Sequence, residues 1–214
     1  TIIDRQLLYE KYVFMDSKIE NNNIKKTIRC ANICHFRNLT EYDNLYSLII
    51  ANYNFNQSVK NLPNNLHSLE IHSGKFNCDV RNLPKNLKSL KIVSCAFNKL
   101  MNKLPEHLQI LSISCNEYNK TLDYLPKNLH SLTLERFESD KSLDKLPRNL
   151  HSLTLNYATL SCSLNHLPHN LHSLEINRCE ITDLLDNLPQ SLHTLTIEQH
   201  KDFIYSLNHL PQSL

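Results

Sequence analysis

Five histidines recur at one position of a repeating pattern: His67, His130, His151, His172 and His193, with Lys88 and Gln109 filling the two gaps. Imidazole is a common metal ligand, so a stripe of such residues along a repeat could bind metal ions. Against that, a repeat sets equivalent side chains parallel, whereas zinc needs three or four ligands converging tetrahedrally. The competing reading is a ladder in which the rings stack and bond to loop backbone, and it is the one favoured here. If that ladder is packed neutral, protonating like neighbours should destabilise the repeat. Four histidines of this column are followed by serine (His67-Ser68, His130-Ser131, His151-Ser152, His172-Ser173), which invites a base–nucleophile reading. On a strand, however, adjacent side chains point to opposite faces, so the pair cannot cooperate within one unit. Cysteines number seven, and only Cys30 and Cys34 are close in sequence, without a second pair at metal-finger spacing. Cys95 and Cys179 fall in a column expected to face a core, where cysteine acts as a small hydrophobe. No catalytic, cofactor or metal constellation emerges.

Composition narrows the classes further. The 214 residues include one glycine, Gly74, and no tryptophan. Phosphate-cradling loops and dinucleotide fingerprints need several glycines, so both are excluded. A net charge of +2 gives no electrostatic case for nucleic acid or a membrane surface. No apolar run approaches the ~18 residues of a membrane span, and no signal peptide is visible. An odd cysteine count without paired spacing points to a reducing compartment, hence the cytoplasm. The chain begins at Thr1 and stops at Leu214 in mid-pattern, which reads as a fragment of a longer protein.

The prolines set out the elements that must position these residues. They stand at Pro63, Pro84, Pro105, Pro126, Pro147, Pro168, Pro189 and Pro211, spaced by 21 residues six times and then by 22. A fixed period in this range marks a solenoid. Leucine precedes every proline and recurs three residues after it (Leu66 to Leu192) and six after it (Leu69 to Leu195). Ile71, Ile92, Ile113, Leu134, Leu155, Ile176 and Ile197 lie eight after. The sixth and eighth positions alternate with polar neighbours, which is the period of a short strand. Proline cannot donate to a β-ladder and falls upstream of that strand. The rest of the unit lacks helical spacing, so the return is extended. One coil cannot bury its own leucines; stacked coils can.

The expected fold is therefore mainly β: a right-handed solenoid of 21-residue coils with one short parallel strand per coil and little helix outside an N-terminal cap. Leu45, Leu48 and Ile50 extend the pattern upstream, and a degraded first unit is expected to use Ile28, Cys30, Phe36 and Leu39. Residues 1–26 form a cap, or the tail of an upstream domain, with a short helix burying Leu7, Leu8, Tyr12 and Met15; residues 27–214 form the solenoid.

The run from Leu87 through Leu90, Ile92 and Cys95 to Phe97 resembles the leucine-rich-repeat core, as does Leu171 to Ile181. More narrowly, Phe55-Asn56, Phe76-Asn77 and Phe97-Asn98, followed by Val or Met and then Leu-Pro-x-Asn-Leu, resemble FNIP repeats, a family of social amoebae and of giant viruses that infect amoebae. There the repeats commonly follow an F-box, which docks onto a cullin ubiquitin ligase. The resemblance implies a non-enzymatic protein–protein interaction module, the substrate-recognition part of an F-box adaptor acting in the host cytoplasm if viral; no F-box is present in the 214 residues. The alternatives are an F-box-independent structural or self-assembling scaffold, and the binding domain of an enzyme whose catalytic part lies elsewhere. Two departures are noted. The column eleven after proline reads Gly74, Cys95, Asn116, Phe137, Ala158, Cys179, so a continuous asparagine ladder is not expected there. In the coil after Pro126 the aromatic column holds Ser139 while Phe137 comes two residues early, which predicts a local rearrangement.

Variable surface on a constant scaffold is where a partner would bind. Solenoids bind along the concave face, and Arg and Tyr are favoured anchors. Glu135, Arg136, Asn156, Tyr157, Glu175 and Arg178 form the candidate patch.

Overall fold

The computed structural model describes residues 13–14, 30–33, 39–116, 118–139, 142–160, 163–181, 185, 187–198 and 210–214. Its strands in chain order begin with β1 (Val13–Phe14), β2 (Cys30–Ile33), β3 (Ser47–Ala51), β4 (Ser68–His72) and β5 (Ser89–Val93). There follow β6 (Ile110–Ser114), β7 (Ser131–Glu135), β8 (Glu138–Ser139), β9 (Ser152–Asn156) and β10 (Thr159–Leu160). The last are β11 (Ser173–Asn177), β12 (Glu180–Ile181) and β13 (Thr194–Glu198). A ten-stranded parallel sheet runs β1-β2-β3-β4-β5-β6-β7-β9-β11-β13, and a second sheet of three two-residue strands runs β12-β10-β8. No helix occurs among the described residues.

From β3 onward each strand of the large sheet pairs with the next one in that sheet so that a residue meets its equivalent one period later: Leu69 faces Leu90 and Ile71 faces Ile92. Register is enforced by the alternation itself, since a slip of one residue would turn every leucine to solvent. The leucines three and six after proline, from Leu66 to Leu174, are wholly buried, and the residues between them on the strands are mostly half-buried. Proline works where it has no N–H to offer, opening a turn whose carbonyl accepts a bond from the leucine three residues on (Leu66 N to Pro63 O 3.1 Å, Leu171 N to Pro168 O 3.0 Å). Two residues after proline, an asparagine clips the turn to the one before in five coils, at Asn65, Asn86, Asn128, Asn149 and Asn170. Asn128 Nδ2 donates to Glu106 O at 2.9 Å, Asn149 to Lys127 O at 3.0 Å and Asn170 to Arg148 O at 3.0 Å.

Beyond the strand the coils divide into two kinds. In the coils following β4, β5 and β6 the residue ten after proline turns inward: Ser73 Oγ donates to Phe55 O (2.8 Å), Ser94 Oγ to Phe76 O (2.9 Å) and Cys115 Sγ to Phe97 O (3.0 Å). Phe55, Phe76, Phe97 and Tyr118 then stack with centroids 5.6, 5.8 and 6.0 Å apart. In the coils following β7, β9 and β11 that position holds Arg136, Tyr157 and Arg178, with φ of 54°, 52° and 55°. The left-handed backbone sends these long side chains outward and turns the next residue, Phe137, Ala158 or Cys179, into the core. The short strands β8, β10 and β12 follow. The rearrangement expected of one coil therefore persists through three, because a slot that accepts serine or cysteine cannot accept arginine or tyrosine.

Other expectations are corrected by this geometry. Cys95 is exposed, since Ser94 takes the inward place, while Cys179 is buried. An asparagine ladder does exist, three columns beyond the expected one: Asn77 N donates to Asn56 Oδ1 (3.0 Å), Asn98 N to Asn77 Oδ1 (3.0 Å) and Asn119 N to Asn98 Oδ1 (3.2 Å). In the first unit Ala31 and Ile33 face Leu48 and Ile50, so Ile33, not Cys30, takes the apolar column, and Leu39 is buried as expected. Ile28 and Phe36 lie outside the described residues. Within the segment read as a helical cap, Val13–Phe14 is a strand paired with β2; the remainder of residues 1–26 lies outside the described residues.

Candidate binding surface

Glu135, Asn156 and Asn177 are last residues of β7, β9 and β11 and pair in register, with Glu198 of β13 completing the row. Asn177 Nδ2 donates to Asn156 Oδ1 at 2.9 Å. Two residues earlier on the same face, Thr154 Oγ1 donates to Glu175 Oε2 at 3.4 Å. Just past the row come the three left-handed residues, each tied by its N–H to the end of the next strand: Arg136 N to Asn156 O 2.8 Å, Tyr157 N to Asn177 O 2.9 Å, Arg178 N to Glu198 O 2.5 Å. Their side chains are partly linked. Arg178 Nη1 donates to Tyr157 Oη at 2.8 Å, its guanidinium lies 5.5 Å from the Tyr157 ring centroid, and Nη2 stands 3.3 Å from Glu198 Oε1. Arg136 Nε is 3.9 Å from Glu135 Oε1. All six predicted patch residues thus fall on one side of three consecutive coils.

Asn177 and Glu198 belong to the same surface and were not in the predicted patch. Their signal was present, since both lie in the column that supplied Glu135 and Asn156. Left-handed backbone in bulky residues costs roughly 1–2 kcal/mol each, which only a well-packed surround sustains.

The histidine ladder forms as the favoured reading predicts. His130, His151, His172 and His193 stack with centroids 5.2, 5.1 and 5.2 Å apart. Each Nδ1 sits at hydrogen-bond distance from a main-chain carbonyl two residues earlier: Asn128 O 2.5 Å, Asn149 O 2.6 Å, Asn170 O 2.6 Å and Ser191 O 2.6 Å. A carbonyl only accepts, so Nδ1 carries the proton and Nε2 is the other, unprotonated nitrogen of the neutral ring. Rings related by translation keep their Nε2 atoms about one centroid spacing apart. That exceeds twice a zinc–nitrogen bond of ~2.0–2.1 Å, so one ion cannot bridge neighbours. Among the described residues no group of three or more His, Cys, Asp or Glu converges to hold a metal ion. The carbonyl bond also diverts Nδ1 from Ser131, Ser152 and Ser173.

Electrostatic perturbations are few and structural. The hydrogen bond from His72 Nε2 to Glu70 (3.0 Å) holds the Glu70 carboxyl below its usual range, helped by the charge of Lys91. Burial pushes the Cys179 thiol up, away from the reactive thiolate. Burial likewise raises the Tyr118 phenol, whose hydroxyl has no hydrogen-bond partner. No described helix is long and apolar enough to cross a membrane.

No protein-family profile matches the chain, and no curated protein sequence does. Solved structures do. The giant-virus protein CroV588, described as a novel circular LRR protein structure, is similar over 86% of this chain at 28% identity and a TM-score of 0.71. YopM from Yersinia enterocolitica WA-314 is similar over 87% at 26% identity and a TM-score of 0.60. An internalin, inlF, from Listeria monocytogenes str. 4b F2365 shares the fold over 78% at 23% identity and a TM-score of 0.57. The chain spans 29%, 39% and 52% of those proteins respectively. With the register, the period and these likenesses together, the chain is a repeat protein with a leucine-rich-repeat-like β-solenoid fold.

Proposed function

We propose that this solenoid binds another protein through the row Arg136, Tyr157 and Arg178 and the strand-end residues Glu135, Asn156 and Glu175 beside it. The observation that carries this reading is the left-handed backbone at three successive bulky residues. It turns two arginines and a tyrosine outward in three successive coils, while the residue that follows each enters the core. Arginine and tyrosine are the residues most often found as interface anchors. The resemblance to FNIP repeats and the likeness to a giant-virus protein support a finer assignment, in which the module selects substrates for a cullin-type ubiquitin ligase through an F-box elsewhere in the parent protein, in the cytoplasm of the host cell.

Affinity capture from amoeba lysate tests the site, using the chain and a variant carrying Arg136→Ala, Tyr157→Ala and Arg178→Ala. Alanine keeps the Cβ, so the backbone strain is unchanged while the contact surface goes. A partner retained by the parent and lost by the folded variant supports the reading; equal capture by both sinks it. Co-purification of cullin-ligase subunits with the full parent protein tests the finer assignment. A scaffold role is the second reading, favoured by the likeness to a circular protein. Concentration-dependent closed or extended assemblies in sedimentation and electron microscopy would support it.

A further inference from the structure

The three coils that carry the anchor row differ in charge in an ordered way. From the strand to the residues just past it, the central coil, Ser152–Leu160, holds no charged side chain, and its Tyr157 is 49% exposed. On one side Ser131–Ser139 holds Glu135, Arg136 and Glu138. On the other Ser173–Ile181 holds Glu175, Arg178 and Glu180, and Glu198 follows on β13. Five carboxylates therefore stand against two guanidinium groups. Each guanidinium has a carboxylate of its own, Arg178 with Glu198 at 3.3 Å and Arg136 with Glu135 at 3.9 Å. Glu138, Glu175 and Glu180 form no ion pair among the described residues. Pairing of β8, β10 and β12 sets Glu138, Thr159 and Glu180 side by side, all three exposed. The anchor row is thus a ridge between the two sheets, with uncompensated carboxylates on both slopes: Glu175 on the large sheet, Glu138 and Glu180 on the small one.

We propose that the partner of this ridge is a basic polypeptide segment, seated across Tyr157 with its lysine or arginine side chains on Glu138, Glu175 and Glu180; this rests on the reading of the anchor row given above. Protein interfaces share this anatomy, a centre depleted of charge and built on an aromatic residue inside a polar rim. The sign of the rim names the partner. Three uncompensated carboxylates attract cations and repel the phosphates of nucleic acid or of an anionic membrane. The attraction is local, because the whole chain carries +2 and would by itself disfavour a basic ligand. Glu138 and Glu180 lie two strand spacings apart, about 9.5 Å, close to the length of three residues of extended chain.

Fluorescence anisotropy with labelled oligo-lysine and oligo-glutamate peptides of equal length tests the proposal, with melting curves to verify that each variant is folded. The unaltered chain should bind oligo-lysine at least about tenfold more tightly than oligo-glutamate, with a smaller margin at high salt. Glu138→Gln with Glu180→Gln should weaken oligo-lysine binding about three- to tenfold, as the loss of two exposed charge contacts would. Asp43→Asn with Glu106→Gln makes the same change in net charge on exposed residues away from the ridge, and should leave binding unchanged. Tyr157→Ala should weaken binding with every carboxylate still in place. Loss of lysate capture by the triple-alanine variant tests the anchor row itself and holds whatever the charge of the partner, so the two readings fail separately. Oligo-glutamate binding as tight as that of oligo-lysine overturns the proposal. So does a Glu138 and Glu180 variant that behaves like the Asp43 and Glu106 control.

Discussion

At the residue scale, Tyr118 holds the one buried side-chain oxygen in the aromatic stack that lacks a partner. Its three predecessors in the column are phenylalanine, so the ring is wanted there and the hydroxyl is not. Tyr118→Phe should raise stability by about 1 kcal/mol, because an unsatisfied buried hydroxyl costs roughly 1–3 kcal/mol and its removal leaves no cavity of consequence. Urea denaturation reads this directly; a lower midpoint with unchanged slope would mean the hydroxyl is satisfied. Glu70 allows a test by pH. Its carboxyl titrates below the ordinary glutamate value of 4.5 through the His72 hydrogen bond and the charge of Lys91. The stabilisation from that lowered pKa is present above 4.5 and disappears as the pH falls through the depressed folded value. The stability gap between the chain and Glu70→Gln should therefore narrow from pH 6 to pH 3. At this half-buried, solvent-facing site the whole effect stays below about 1 kcal/mol. A gap independent of pH would assign Glu70 no more than a packing role.

At the element scale the ladders decide what each coil can be. Charging adjacent rings of the histidine stack places like charges 5.1–5.2 Å apart. In water that repulsion is about 0.8 kcal/mol per neighbouring pair before screening. Melting between pH 7.5 and 5.5 should fall by a few degrees at low ionic strength and by less in high salt, where the Debye length shortens toward ~3 Å. A drop insensitive to salt would place its origin elsewhere. Much of this was legible in the residues. Proline spacing and the alternation at Leu69 and Ile71 define strand, register and core, since one face of a strand must be apolar and proline must lie outside it. The histidine stack follows from register alone. What periodicity could not reveal was the direction of the tenth position. Ser73, Ser94 and Cys115 can turn inward and bond a carbonyl; Arg136, Tyr157 and Arg178 cannot. The signal was the exchange of small and large residues between two adjacent columns, and reading it requires the size of the inward slot, which only packing discloses. The Asn56, Asn77 and Asn98 ladder was missed for a similar reason. Its column was visible as Phe-Asn pairs, but the alignment with leucine-rich repeats drew attention to a different column.

At the scale of the whole molecule the solenoid is two blocks of unlike coils joined at one layer. Up to Tyr118 the coils carry the inward Ser or Cys, the aromatic stack and the asparagine ladder; from β7 onward the described coils carry the left-handed Arg136, Tyr157 and Arg178, the three-stranded second sheet and the stacked imidazoles. The joint is Tyr118 on Phe137, where the ring planes tilt by 32° against 3–12° elsewhere in the stack. Phe137 reaches the stack from the eleventh column instead of the thirteenth, so it spans both ways of closing a coil. In a solenoid each coil touches only its neighbours, and stability is a sum of coil and interface contributions. Removing a ring at the joint weakens the coupling between blocks beyond what it does to either block. Phe137→Ala should cost about 3–5 kcal/mol, as large aromatic truncations do. It should also split a single unfolding transition into two, with residues 45–116 and the coils from β7 to β13 exchanging amide hydrogens as separate units. Phe76→Ala, inside the first block, should cost about as much while leaving the second block's exchange unchanged. A single transition of undiminished slope in Phe137→Ala would show that coupling runs through the leucine ladders, and that the change of coil type is confined to the surface the two blocks present.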